Sequence, residues 1–141
     1  MKMFCALLLS FSSLLGMAQT NQKALDDFST RFGGEASWAN EGGQIVASFK
    51  KGAGPAYAEY STDGQFLGLA SLTDFNALPE KAKETLNRGF TGSGGMYQVE
   101  YVRVFSTESS PKFAALMSAN GQHLKLYFNE AGDMVQRSIW Q

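Results

Sequence analysis

The stretch "YSTDGQFL", Tyr60 to Leu67, decides the fold, because "FNEAGDMV", Phe128 to Val135, repeats its pattern. Each stretch has an aromatic residue, a polar turn that contains a glycine, and then two apolar residues. Such a pattern is typical of two strands joined by a tight turn. A short chain that contains the pattern twice is predicted to contain a duplicated structural unit.

The neighbouring segments support this duplication. Phe128 follows Tyr60 by 68 residues, and the same offset aligns further apolar residues at alternate positions, namely Ile45 with Phe113, Phe49 with Met117, Ala56 with Leu124 and Ala58 with Leu126. Alternate apolar positions are expected on one buried face of a strand. The helical segments align at an offset of 58, so the second unit has about ten extra residues.

A helix is predicted before each group of strands. Asn21 can cap the first helix and Asn76 the second, with Pro79 in the first turn of the latter. The apolar residues recur at the spacing of one helical face, with Ala24, Leu25, Phe28 and Phe32 in the first helix and Ala82, Leu86 and Phe90 in the second. Three strands are predicted after the first helix and four after the second.

These patterns predict an α+β fold that consists of a tandem repeat of one helix plus antiparallel strands. Both helices are expected to pack on one face of the antiparallel sheet. The repeats are predicted at about residues 22–70 and 76–137, within a single domain of residues 19–141.

The N-terminal residues predict export. Lys2 provides the positive region of a signal peptide, "MFCALLLSFSSLL" the apolar region, and "GMA" before Gln19 the small residues that signal peptidase recognises. Residues 1–18 are therefore interpreted as a signal peptide, since the apolar run is shorter than a membrane-spanning helix. We expect a periplasmic or secreted protein with no stable membrane insertion after cleavage.

Composition excludes several classes of partner and stabilising group. The single cysteine, Cys5, lies in the predicted signal peptide, so the mature chain has no disulfide or cysteine-based zinc site. Removal of Lys2 changes the formal charge from −1 to −2. The mature chain therefore lacks the basic stripe that binds nucleic acid, and we expect no nucleic-acid partner.

An ordered set of motifs resembles a known family. A helix containing "FSTRFGGEASW", the segment "AYAEYSTDGQFLG", a helix containing "ALPEKAKETL" and the final "LKLYFNEAGDMV" are similar to the PepSY-like, β-lactamase-inhibitor-protein-like periplasmic proteins. The resemblance covers about residues 22–137. It implies tandem repeats with both helices on one face of the sheet, and an exported binding or inhibitory module without catalytic residues. Gly33-Gly34 and Thr91-Gly92 replace the Pro-Gly pair that follows the helix aromatic residue in that family.

The strand alternation predicts a second sheet face that is open to water. Tyr57, Glu59, Lys125 and Tyr127 are expected on this face and are the predicted partner-binding residues. Mixed aromatic and charged side chains are typical of protein-binding surfaces. Strand tyrosines and their charged neighbours also stabilise sheets without any partner, so a purely structural role remains the alternative.

Catalytic, metal and cofactor sites are not predicted. The chain has one histidine, His123, which follows the Asn120-Gly121 turn, and Ser106, Ser109 and Ser110 have no second histidine to activate them. "GSGG", residues 92–95, lacks the lysine of a phosphate loop, and neither "STDG" nor "NEAG" has the ligand spacing of a calcium loop. We therefore expect a protein that is not an enzyme and has no cofactor.

Two hypotheses for the function remain. The first is an exported, non-enzymatic binding or inhibitory module that presents the open sheet face to a protein or peptide partner. The alternative is a periplasmic carrier of a small apolar ligand, suggested by the abundant aromatic residues and by the glycine-rich junction at residues 92–95.

Overall fold

The computed structural model describes residues 21–92, 95–108 and 111–141. The predicted signal peptide, the centre of "GSGG" and the residues Ser109 and Ser110 lie outside the described residues. Within the described part of the chain, each helix is too short and too polar to cross a membrane.

The residues that the structure describes form an α+β fold with two α-helices, one short 3-10 helix and eight strands. The strands form one antiparallel sheet in chain order from β1 to β8, so every neighbouring pair of strands is also consecutive along the chain. The first half consists of α1 (Gln22–Arg31), β1 (Ser37–Glu41), β2 (Gln44–Lys51), β3 (Gly54–Tyr60) and β4 (Phe66–Thr73). A short 3-10 helix (Phe75–Ala77) leads to the second half, which consists of α2 (Glu80–Gly89), β5 (Gln98–Phe105), β6 (Phe113–Ala119), β7 (Gln122–Phe128) and β8 (Met134–Trp140).

The strand register recurs between the halves at the 68-residue offset. Ile45 pairs with Tyr60 in the first half, and Phe113 pairs with Phe128 in the second. Each of the following pairs of β2 and β3 has its counterpart in β6 and β7. A bulge also precedes Tyr60 and Phe128 alike. The offset found in the sequence is therefore a property of the backbone pairing, whereas descent from a duplicated unit stays a prediction.

The turns after Tyr60 and Phe128 explain why the quoted pattern occurs twice. Gly64 and Gly132 both have positive φ angles, of 88° and 92°, which glycine adopts without steric cost. A Cβ atom would lie 3.0 Å from the backbone nitrogen of Ala24 at the first turn and 3.0 Å from that of Ala82 at the second. Each turn thus needs a glycine both for its conformation and for close contact with the start of its helix.

Each helix covers a separate apolar core. Ala24 and Phe28 of α1 pack on the alternate strand residues Ile45, Ala47, Ala58 and Tyr60. The corresponding residues of α2, Ala82 and Leu86, pack on a larger set from the second half, including Val102, Phe113, Ala115, Met117, Leu124, Leu126 and Phe128. Most of the alternate apolar residues aligned in the sequence lie in or against these two cores, namely Ile45, Phe49, Ala58, Phe113, Met117, Leu124 and Leu126.

Three local features differ from or sharpen the sequence predictions. β1 was not predicted, and the prediction of Asn76 as a helix cap is wrong, because Asn76 lies in the 3-10 helix and Pro79 occupies the N-cap position of α2. The predicted hairpin at Asn120-Gly121 is confirmed, since both residues have the positive φ angles of a tight turn. The Asn120-Gly121 signal is local to the turn. β1 pairs with β2 over five residue pairs through the Gly42-Gly43 turn, but its residues, "SWANE", lack the apolar alternation that predicts a strand.

The sheet face away from the helices, here called the inner face, is largely buried because the sheet curls onto itself. A Cβ atom at Gly42 in the β1–β2 turn would lie 2.6 Å from the Cβ of Ser138 in β8. The two ends of the sheet therefore approach each other. An apolar cluster of Ala70, Phe105, Ala114, Leu116 and Tyr127, with Tyr57 packed against it, forms on this face. The prediction that the second face is open to water is wrong over its central part.

Candidate functional site

Four charged side chains meet at the centre of the inner face and are here called the ion cluster: Glu41, Glu59, Arg103 and Lys125. Glu41 ends β1 and Glu59 lies in β3, whereas Arg103 and Lys125 lie in β5 and β7. Alternation along the strands points these side chains away from the helices, and the curl of the sheet brings them together. Two carboxylates and two cations leave the cluster formally neutral.

Glu41 is the centre of the hydrogen bonds. Arg103 donates to both of its carboxylate oxygens, from Nη1 to Oε1 at 2.8 Å and from Nη2 to Oε2 at 3.0 Å. Lys125 Nζ also donates to Glu41 Oε1, at 2.7 Å. A bidentate guanidinium contact of this kind fixes the relative position of both side chains.

Glu59 accepts hydrogen bonds from two residues of β7. The hydroxyl of Tyr127 donates to Glu59 Oε1 at 2.6 Å, and Lys125 Nζ donates to Glu59 Oε2 at 3.4 Å. The same tyrosine hydroxyl contacts the side-chain amide of Gln44. Tyr57 lies beneath the guanidinium of Arg103, whose Cζ is 4.1 Å from the ring centre.

Burial and charge both act on the ionisation of these groups. Burial alone raises the pKa of the Glu41 carboxyl, but hydrogen bonds from Arg103 and the charges of Lys125 and Arg103 outweigh it, so the pKa lies below its usual value. Burial and the adjacent Glu59 carboxylate raise the pKa of the Tyr127 hydroxyl. At neutral pH the Glu41 carboxylate is ionised and the Tyr127 hydroxyl keeps the proton that it donates.

All four predicted partner-binding residues lie at this site, but not as an exposed surface. Glu59, Lys125 and Tyr127 are 1%, 0% and 2% exposed, and Tyr57 is half-buried. The expectation that they are open to solvent is wrong, because each half of the sheet covers the inner face of the other. Their role in partner binding stays a prediction, and in this closed arrangement a partner cannot reach three of them.

Sequence reasoning missed Glu41, Gln44 and Arg103. Glu41 precedes the Gly42-Gly43 turn, where a charged residue is unremarkable. Arg103 gave the only signal, because it is a charge between Val102 and Val104 in the apolar second half of β5. Nothing in either segment indicates that the two side chains meet, since 62 residues separate them.

Beside the ion cluster, the inner face remains accessible at one end. Leu72 lies opposite Arg103, and Tyr101 lies on the same side of β5 as Arg103 and opposite Leu116. Leu72 is 42% exposed and Tyr101 is 51% exposed. Further along the same face, the ring of His123 stacks on that of Trp140 with centroids 5.4 Å apart. We call these exposed and half-exposed side chains the inner-face patch: Leu72, Tyr101, Ser118, His123 and Trp140.

Open hollows lie outside this patch in the described part of the chain, and two of them differ in size and lining. The larger, with a volume of about 560 Å³, lies between α1 and the Gly64 turn and is lined mainly by polar and charged residues. The smaller, of about 230 Å³, lies beside Pro55 and Ser106. Among residues 21–92, 95–108 and 111–141, no three His, Cys, Asp or Glu side chains are grouped to hold a metal ion.

Solved structures of other proteins are similar to this chain in fold but not in sequence. No family model and no curated protein matches the sequence. A candidate periplasmic protein from Bacteroides eggerthii DSM 20697 is 9% identical with a TM-score of 0.50, over 83% of this chain and 86% of that chain. A DUF2874 family protein from Bacteroides uniformis ATCC 8492 is 12% identical with a TM-score of 0.48, over 83% and 87% of the two chains.

A third solved structure has a lower TM-score. It is a BLIP-like protein from Bacteroides fragilis NCTC 9343, 17% identical with a TM-score of 0.42, over 84% of this chain and 85% of that chain. At these identities, the similarity to the Bacteroides eggerthii protein shows a shared fold, and the PepSY-like resemblance stays a prediction. The chain therefore has the fold of that protein, whereas its function must be argued from its own residues.

Proposed function

We propose that this chain is an exported, non-enzymatic binding module that contacts a protein partner through the inner-face patch. The observation that carries the proposal is the exposure of Leu72 and Tyr101 on the same side of neighbouring strands. Large apolar side chains exposed side by side on a rigid sheet are typical of interaction surfaces. Tyrosine and tryptophan supply much contact area with few torsions to order on binding.

The ion cluster lies beside this surface on the same face and restrains one of the strands that form it. Arg103 lies directly opposite Leu72 and donates charge-assisted hydrogen bonds to Glu41. These bonds hold β5, the strand that contains both Arg103 and Tyr101, in place. A preorganised surface binds at a lower entropic cost than a mobile one. The four residues predicted from the sequence, Tyr57, Glu59, Lys125 and Tyr127, therefore act in this proposal as the support of the binding surface.

Export supports a partner outside the cytoplasm. The prediction of export depends on the positive, apolar and small-residue regions of the signal peptide predicted at residues 1–18. The Bacteroides eggerthii protein of similar fold is itself described as a candidate periplasmic protein.

A carrier of a small apolar ligand has less support. Such sites are enclosed and mainly apolar. The larger hollow is open and includes Lys23, Asp26, Asp27 and Arg31 in its lining. A protein partner fits the inner-face patch better than a small apolar ligand fits this hollow.

The test compares the inner-face patch with an equally exposed apolar pair elsewhere. The patch variant is Leu72→Ser with Tyr101→Ser, and the matched control is Val135→Ser with Ile139→Ser, two positions of β8 that are 52% and 47% exposed. A partner is first captured from a periplasmic extract with the parent chain and identified by mass spectrometry. Calorimetric titration of the purified partner then measures Kd for the three chains.

We expect the patch variant to bind at least about tenfold more weakly, which corresponds to about 1.4 kcal/mol, and the control to bind like the parent. Equal affinity of the patch variant and the parent would refute the proposed surface. A Tyr57→Ala, Tyr127→Ala variant is unsuitable for this test, because truncation of the buried Tyr127 would damage the fold as well as any binding.

A further inference from the structure

The two halves of the chain are joined by few backbone contacts. The strand order leaves the β4–β5 ladder as the sole connection between their parts of the described sheet, and it contains four residue pairs, from Ala70 with Phe105 to Thr73 with Val102. The β2–β3 and β6–β7 ladders inside the halves contain seven pairs each. Each half also has its own helix-covered core. The halves also meet through their inner faces.

The charges in this contact are separated by half. Both carboxylates, Glu41 and Glu59, come from the first half, and both cations, Arg103 and Lys125, come from the second. Closure therefore buries two like charges from each half. Only the closed arrangement compensates them, since burial of unpaired charges is strongly unfavourable.

The repeated register shows how specific the contact is. Glu59 and Tyr127 occupy equivalent positions at the 68-residue offset, and they hydrogen-bond to each other across the inner face. In a symmetric contact between two copies of the first half, Glu59 would face another Glu59. Like charges at that position would oppose such a pairing, so the charges favour contact between unlike halves.

The ion cluster nevertheless lowers the free energy of the closed arrangement by only a small amount. Arg103 Nε is buried without a hydrogen-bond partner among the described residues. Water would solvate all four charges if the inner faces separated, and the closed state must recover this solvation through its ion pairs. Removal of one partner should therefore favour separation of the halves.

From these observations we propose that the ion cluster is an electrostatic latch between two independently cored halves, with the β4–β5 ladder as its hinge. When the charges are unbalanced, the inner face opens while both helix-covered cores stay folded. This inference concerns the closure of the molecule and holds whether or not the inner-face patch binds a partner.

Two neighbouring alanines of β6 allow the opening to be measured separately from unfolding. Ala114 lies in the inner-face cluster and Ala115 in the helix-covered core of the second half, and both are 0% exposed. Ala114→Cys and Ala115→Cys are made in the chain from residue 19 onward, which contains every described residue and excludes Cys5. The rate of thiol labelling without denaturant then reports the exposure of each site.

The latch is broken by Lys125→Met, which leaves two carboxylates facing one cation. We expect labelling to accelerate at least about tenfold at Ala114→Cys and to change little at Ala115→Cys. If Lys125→Met does not fold, Glu41→Gln is used instead, because it also unbalances the cluster. Acceleration at both sites alike, or at neither, would overturn the latch.

A compensating substitution separates charge from packing. Glu59→Gln combined with Lys125→Met leaves Glu41 paired with Arg103, so the cluster is neutral again. The labelling rate at Ala114→Cys should return toward that of the parent. A rate that stays as high as in Lys125→Met would show that lost packing opens the inner face, and the electrostatic latch would be refuted.

Discussion

The two halves of the molecule share a backbone register but present different chemistry on their inner faces. Glu59 in the first half corresponds to Tyr127 in the second, and Tyr57 corresponds to Lys125. On the helix side the equivalent residues stay apolar or aromatic, as with Ala58 and Leu126. The difference teaches that the helix-covered side and the turns maintain the repeated backbone, whereas the inner face is free to differ because its two halves complement each other.

The largest effect is expected where the halves meet. Tyr127→Phe removes a hydroxyl that donates to the buried Glu59, and we expect a loss of about 1.5–3 kcal/mol in the free energy of unfolding. Tyr60→Phe is the matched control, because Phe128 is the natural equivalent of Tyr60. The hydroxyl of Tyr60 donates to Asp27 at a partly exposed site. We therefore expect Tyr60→Phe to lower the free energy of unfolding by only about 0.5–1.5 kcal/mol.

Denaturant titration of both variants measures this difference. A loss that is as large for Tyr60→Phe as for Tyr127→Phe would contradict the special role of the contact between the halves.

The second prediction concerns what the halves share. Gly64→Ala and Gly132→Ala each place a Cβ in a positive-φ turn that touches the start of a helix. We expect each to lower the free energy of unfolding by about 1–3 kcal/mol, and by similar amounts, since the turn geometry recurs. Gly43→Ala serves as the control, because its φ is also positive but nothing lies within 4 Å of the added atom. Unequal losses at Gly64 and Gly132 would show that the halves differ in their turns as well.

The smallest effect is expected at a polar contact that only the first half contains. Asp27 accepts hydrogen bonds from Arg31 and from the Tyr60 hydroxyl, and these two contacts lower its pKa below the usual value. The folded pKa is below the unfolded one, so this contribution to stability is present above the unfolded pKa and is lost as pH falls through the folded pKa. Because the contact is largely exposed, solvent screening keeps the contribution small.

The measurement is the free energy of unfolding as a function of pH, for the parent and for Asp27→Asn. The two curves should differ at neutral pH and converge in acid. Parallel curves over the acid range would mean that the pair does not stabilise the fold.

Much of the architecture could be predicted from the sequence, because it depends on local signals. Glycine is needed at positive φ in the turns at Gly64 and Gly132, and apolar alternation at Ile45, Ala47 and Phe49 marks the helix-covered face. The candidate site could be predicted only in part. Tyr57, Glu59, Lys125 and Tyr127 were placed correctly on one face, but strand alternation gives the side of the sheet and not what lies above it.

The sequence by itself determined the two helices, most of the strands, their register at an offset of 68 residues and the separation of two faces. The tertiary structure alone decided that the sheet curls, that Glu41 meets Arg103 and Lys125, and that Leu72 and Tyr101 remain exposed. The physical reason is the distance along the chain over which each kind of interaction acts. Turn and alternation signals act between residues that are close along the chain, whereas the curl sums the twist of eight strands and pairs charges that are 62 and 84 residues apart.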